Sequence, residues 1–224
     1  MMKEKRYYLY TAIILAILAL IVIVFVPGLI KLILLILLYI GLLFIGAKYR
    51  QTGHTIISHL DDLDSKQDFQ AVLDYLNFIQ EKGYTSFVYD SYGLYAHYVL
   101  GNFTLYEKLA EKMALAREWT RPKHEKFKEK VVDNLDCIAF LRQWADKGQV
   151  LYKGRNVILI QAVVYYERQE VDELKALAAE HDMPKLKKAC LYALLREFEM
   201  AQELYGSEEA KLLFEKIKGR EING

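Results

Sequence analysis

The stretch Ile21–Leu35, IVIVFVPGLIKLILL, decides the architecture. A Pro-Gly pair interrupts an apolar run, and a lone lysine follows within one helical turn. The surrounding apolar segment extends from Tyr7 to Ala47. One membrane-spanning helix needs roughly 20 apolar residues, so this segment holds two if the chain reverses at its middle. Pro27 disfavours helix in the residue before it and has no N–H to donate. Gly28 permits the backbone angles of a tight reversal. The expected hairpin therefore has helices at about 7–26 and 29–47, with Pro27 and Gly28 as its turn. The stem of Lys31 is long enough to carry its ammonium to the headgroups.

The charges orient this hairpin. Six of the 30 Lys and Arg residues lie in Met1–Arg50, against one of the 29 acids, Glu4, so the remaining chain is acidic by four charges. Lys3, Lys5 and Arg6 precede the first helix, and Lys48 and Arg50 follow the second. The positive-inside rule puts both ends in the cytosol, with Tyr7, Tyr8, Tyr10 and Tyr49 as an aromatic belt at the inner interface. The expectation is an integral protein of a bacterial cell membrane. A cleaved signal peptide has a shorter apolar core and a small-residue cleavage site. A re-entrant hairpin is the other rival, but each arm is long enough to span. Ala12, Ala16 and Gly41 are expected to pack the hairpin, since small residues let membrane helices approach closely. The alternative use of the same residues is a seam between copies in a homo-oligomer.

Residues 51–67 read as a polar juxtamembrane linker, residues 68–220 as a helical domain and residues 221–224 as a tail. Helical patterns follow one another at about Asp68–Glu81, Ser86–Leu100, Thr104–Trp119, Lys123–Lys147, Asn156–Arg168, Val171–Glu180, Lys185–Glu197 and Glu208–Lys218. In Lys123–Lys147, Phe127, Val131, Leu135, Ile138 and Leu141 recur at helical spacing, the mark of one buried face. Strand-like alternation around GQVLYKGRNVILI is too short for a sheet. Two segments superpose with Phe69 over Phe103, 34 residues apart: KQDFQAVLDYLNFI and LGNFTLYEKLAEKM. Further copies start at Val171 in RQEVDELKALAAEH and at Phe198 in LREFEMAQELYG.

This pattern resembles a degenerate tetratricopeptide-repeat array across Lys66–Lys218. The repeat's glycine is present only as Gly101. Its small residue, three positions after the aromatic, is matched only by Ala201; Val72, Tyr106 and Leu174 stand in the other copies. Helix Lys123–Lys147 is longer than a standard unit. The expected fold is all-α: an N-terminal transmembrane hairpin followed by an antiparallel, tetratricopeptide-like helical domain in the cytosol. The resemblance implies a protein-binding scaffold, because stacked helix pairs form extended concave surfaces.

Catalytic patterns are not found. His54, His59, Asp61, Asp62 and Asp64 cluster before the domain, but without metal-binding spacing; they read as a polar linker whose Asp or Ser residues cap the next helix. Cys137 and Cys190 read as reduced core residues. His97, His124 and His181 have no nucleophile pattern beside them. The basic block Arg117–Lys130 is interrupted by Glu118, Glu125 and Glu129 and reads as a solvated helix face. No cofactor, metal or nucleic acid is expected. Tyr92 and Tyr95 are the pair expected to share a face and line a partner-binding groove. The expected function is a membrane-anchored scaffold or adaptor for a protein partner. The alternatives are an enzyme or a small-molecule or metal binder with its site at the linker–domain junction, and a subunit of a larger membrane complex.

Overall fold

In the computed structural model, the described residues are 4–180, 182–205 and 207–222, and no strand occurs among them. Lys3, His181 and the last two residues of the expected tail lie outside them. Two compact units divide between Gly93 and Leu94.

The first unit opens with helix α1 (Glu4–Phe25) and helix α2 (Gly28–Ser65). Helix breaks at Val26–Pro27, where Pro27 is extended, and Gly28 takes a positive φ of 66°. Both helices are long and apolar enough to cross a membrane, and none of the residues in their apolar stretches is buried. They pack as an antiparallel pair through half-buried Tyr8, Ala12, Leu15, Ala19 and Val22 on α1, Val26 just after it, and Leu34, Leu38, Gly41 and Ile45 on α2. The alternating steps of four and three on α1 are those of a two-helix seam. Gly41 meets Leu15, whose Cδ1 would lie 3.5 Å from an added Cβ. Ala16, taken from the sequence as a packing residue, is exposed; four residues after Ala12 the helix has turned past the seam, which takes Leu15.

Sequence alone ends the second helix at Ala47 and makes 51–67 a linker; instead α2 runs unbroken for 38 residues. The reason is packing. Ile56 and Leu60 are buried, at 4% and 0% exposure, on the side of α2 that meets α3 (Phe69–Glu81), whose Val72, Leu76 and Ile79 are buried in turn. That burial offsets the intrinsic cost of Gly53 inside a helix, about 1 kcal/mol. The first unit ends within α4 (Phe87–Leu100).

The second unit continues through α5 (Phe103–Ala114), two 3-10 turns (Arg117–Thr120 and Pro122–His124), α6 (Glu125–Lys147), α7 (Val157–Glu167), α8 (Val171–Ala178), α9 (Lys185–Leu194), α10 (Phe198–Glu203) and α11 (Glu208–Ile222). Helix α9 is buried on most sides and packs on α6, α7, α8 and α10, while α6 also packs on α11. The core includes Phe103, Tyr106, Ile138, Leu141, Trp144, Leu159, Tyr205 and Phe214. The strand-like GQVLYKGRN segment is a loop. Its shape comes from Asp136, whose carboxylate accepts from the Tyr152 hydroxyl (3.1 Å) and the Arg155 N–H (3.4 Å). The Tyr152 oxygen accepts in turn from the Asn156 N–H at 2.8 Å, and burial, its leading cause, pushes the Tyr152 phenol up to about 12.

The four aligned sequence segments share one backbone corner. Gln67, Gly101, Gln169 and Arg196 all adopt left-handed geometry, with φ of 57°, 75°, 58° and 62°. The next residue, Asp68, Asn102, Glu170 or Glu197, has φ between −82° and −89° and ψ between 58° and 73°. Its N–H donates five residues back in every case, to the carbonyls of Leu63, His97, Tyr165 and Tyr192. This is the Schellman closure of a helix, which satisfies a carbonyl left over at the helix end. Three residues after each aligned apolar position, Val72, Tyr106, Leu174 and Ala201 are all buried.

Candidate functional site

The folded end of the first unit carries the His and Asp residues singled out in the sequence. His54, Thr55, Ser58, His59 and Asp62 line a shallow open notch along α2. Their neighbours divide the cluster. The His59 ring sits edge-on to Tyr75 with centroids 4.4 Å apart, and Asp62 pairs with Lys66 at 2.6 Å. Asp61 accepts a hydrogen bond from the Tyr92 hydroxyl. Among the described residues no group of three or more His, Cys, Asp and Glu side chains is placed to hold a metal ion.

Tyr92 and Tyr95, the pair expected from the sequence to line a groove, differ in their surroundings. Tyr92 lies in the first unit, half-buried, and uses its hydroxyl to tie α4 to α2. Burial, then the bond to Asp61 and the charges of Asp61 and Asp64, push its phenol up to about 12. Tyr95 lies in the second unit, is 50% exposed and stacks on Tyr98 at 6.4 Å. Tyr92→Phe is expected to cost about 1.5 kcal/mol, the low end for a lost bond to a charged group, since the pair is exposed. Tyr95→Ala should stay within about 0.5 kcal/mol of the unsubstituted chain. Equilibrium unfolding of the two variants checks this difference.

A tyrosine cluster that the sequence did not single out organises the second unit. Tyr98 faces both Tyr106 and Tyr205 at 6.3 Å, and its oxygen accepts from the Leu186 N–H at the start of α9 (3.3 Å). The Lys185 ammonium lies 4.7 Å over the Tyr205 ring, and burial lowers its pKa. Burial also raises Tyr98, Tyr106 and Tyr205 above the usual phenol range. Arg142 joins Glu107 (2.7 Å) and Glu209 (3.0 Å), and Glu209 accepts from the Thr104 N–H at the start of α5 (3.0 Å). A carboxylate from 105 residues away thus caps a helix whose own Asn102 side chain does not. Tyr89, Tyr92, Tyr95 and Tyr98 lie close together in the sequence, but neither these contacts nor the Arg142 network has a local signature.

Cys137 and Cys190 meet in the core, with Cys190 Sγ 4.0 Å from the Cys137 carbonyl. Burial raises the Cys190 thiol well above its ordinary range, which makes it a poor nucleophile. Acid–base pairs in the basic block fall three residues apart, Arg121 with Glu118 (3.8 Å) and Lys128 with Glu125 (2.8 Å). His97 is half-buried, its Nδ1 is enclosed without a hydrogen-bond partner, and burial lowers its pKa below the ordinary 6.5. The unfolded chain therefore takes up this proton first as pH falls, and stability drops through and below pH 6.5. His97→Gln is expected to flatten that part of the profile; melting temperature against pH reads it.

No known family, curated protein or solved structure matches the chain.

Proposed function

We propose that the chain is a membrane-anchored scaffold that holds a helical partner-binding domain at the cytosolic face. The supporting observation is the division of labour along α2. Its N-terminal part is apolar and, away from the seam with α1, uncovered by protein, with Leu29 72% and Phe44 63% exposed, and its C-terminal part buries Ile56 and Leu60 against α3. A helix that leaves apolar side chains uncovered over a full span length fits a lipid environment. The basic residues at both ends of the hairpin favour placing both chain termini in the cytosol.

Four like corners, each followed by a short helix, support a tetratricopeptide-like reading of the rest, and such arrays bind protein segments on one face. This step is fold analogy. Within it, Tyr95 is the anchoring candidate, since an exposed tyrosine offers apolar area with a polar tip. Tethering raises the local concentration of whatever is captured.

Purification of the full chain in mild detergent should recover a stoichiometric protein partner, and Tyr95→Ala should weaken its capture without changing the melt. Absence of any partner, together with a ligand bound at the His54–His59–Asp62 notch, would replace the scaffold by a small-molecule or metal binder. Loss of the partner on altering the exposed hairpin face, and not Tyr95, would make the chain a subunit of a membrane complex. For topology, Leu29→Cys should react with an impermeant thiol reagent outside intact cells and Gly219→Cys only after lysis. The opposite labelling reverses the orientation.

A further inference from the structure

The antiparallel packing of α3 on α2 returns the chain to the level where the apolar part of α2 ends. From Tyr49 to Ser65, α2 rises about 24 Å at 1.5 Å per residue; the corner at Lys66–Asp68 then reverses the chain, and α3 descends beside it. The register is fixed by rings. Tyr8 meets Tyr49 edge-on at 5.9 Å, and Tyr49 stacks on Tyr84 at 6.5 Å, so α1, α2 and the segment after α3 share one level. Tyr84 is 4% exposed. On that level Lys48, Tyr49 and Arg50 mark the end of the apolar stretch.

The segment Lys82–Val88 that arrives there is well fixed. Gly83, with φ 87°, closes α3, as its N–H donates to the Gln80 carbonyl (2.8 Å) and the Tyr84 N–H donates to Ile79 (3.0 Å). Two residues later the Ser86 hydroxyl accepts from the Tyr89 N–H at 3.2 Å and starts α4. Outward from this corner stand the polar Thr85 and the apolar Val88, with exposed Glu81 beside the half-buried Lys82. Val88 is 43% exposed, and the Lys82 ammonium lies 4.3 Å over the half-exposed ring of Phe78. The nearest acids in sequence are Glu81 and Asp90.

We propose that the Lys82–Val88 corner is a second membrane-contact element, seated in the headgroup layer of the leaflet where the hairpin emerges, with Val88 toward lipid and Lys82 toward anionic headgroups. The inference rests on the membrane reading of the hairpin and adds to it. The folded part of the first unit would lie against the bilayer and not stand clear of it on a stalk. The chemistry is that of an interfacial site: a small apolar contact, an aromatic girdle and cations of the sign that anionic lipid attracts.

The test uses the full chain in vesicles of phosphatidylcholine and phosphatidylglycerol. An environment-sensitive fluorophore is placed at Val88→Cys, at Leu37→Cys within the apolar stretch, or at exposed Ser65→Cys at the far end of α2; the two native thiols are buried. Lipids carrying a nitroxide at the headgroup should quench the Val88 label roughly threefold or more above the Ser65 label, given the thickness of the interfacial layer. Lipids with the nitroxide deep in the acyl chain should quench the Leu37 label. Deep quenching at Leu37 with equal, weak quenching at Val88 and Ser65 overturns this proposal and leaves the hairpin reading intact. No quenching at Leu37 overturns both. Lys82→Glu should lower the Val88 signal in anionic vesicles; an unchanged signal removes lysine from the contact.

Discussion

Gly101→Ala is expected to destabilise the chain by about 3 kcal/mol, while Gly at the three matching corners should stabilise it. Two costs combine at Gly101. A side chain at φ 75° is strained by roughly 1–2 kcal/mol. A Cβ there would also lie 2.9 Å from both Ser207 Oγ and Tyr205 Cδ1, so the segment after α10 must move, at about 1–3 kcal/mol for overpacking. That movement would strain the bond from the Ser207 hydroxyl to the Gly101 carbonyl (2.8 Å). Gln67, Gln169 and Arg196 already carry the left-handed strain, and all three are exposed. Glycine there relieves that strain and loses part of the gain to unfolded-chain entropy, for a net stabilisation of about 0.5 kcal/mol each. Chemical denaturation of the full chain in detergent measures all four. A Gly101→Ala variant as stable as the unsubstituted chain would show that the Tyr205–Ser207 segment yields freely.

Asp133→Ala is expected to cost about 3 kcal/mol, and Lys187→Met close to nothing. The Lys187 ammonium lies 2.7 Å from Asp133, and its side chain is only 9% exposed, whereas Asp133 is 44% exposed. Removing the aspartate leaves a buried cation without its anion, the expensive direction. Removing the lysine leaves a carboxylate that water already reaches, and methionine fills the vacated stem. Asp133→Ala combined with Lys187→Met should therefore recover most of the loss. If the two single changes cost the same, the pair is not acting as a buried one.

These costs fall where local sequence is least informative. Gly101 stood out as the one glycine among the repeat corners. Gln67, Gln169 and Arg196 do not, because a left-handed glutamine or arginine has no local signature; it is the fold that shows each, two residues before Phe69, Val171 or Phe198, in the same geometry as Gly101. The hairpin turn was legible because Pro27 and Gly28 each impose a local constraint. The continuation of α2 through Gln51-Thr52-Gly53 was not, since that tripeptide reads as a break until Ile56 and Leu60 find α3. The same limit separates Tyr92 from Tyr95. Spacing places both on α4, but the difference between a tie and an exposed ring lies in Asp61, 31 residues before Tyr92. Arg142 with Glu209 and Lys187 with Asp133 are likewise products of the folded topology.

The unbroken course of α2 makes residue number into a mechanical coordinate. A straight helix behaves as a torsionally stiff shaft, so each residue added between the end of the apolar stretch and Ile56 would advance the far end by 1.5 Å and turn it by about 100°. A single inserted alanine would swing the α3-facing side of the shaft out of phase with the seam that holds α1. Four would restore most of the phase and lift the load by about 6 Å. The count of residues from Gly41, facing Leu15, to Ile56, on the α3 side, therefore sets both height and heading, as the keyway does on an axle.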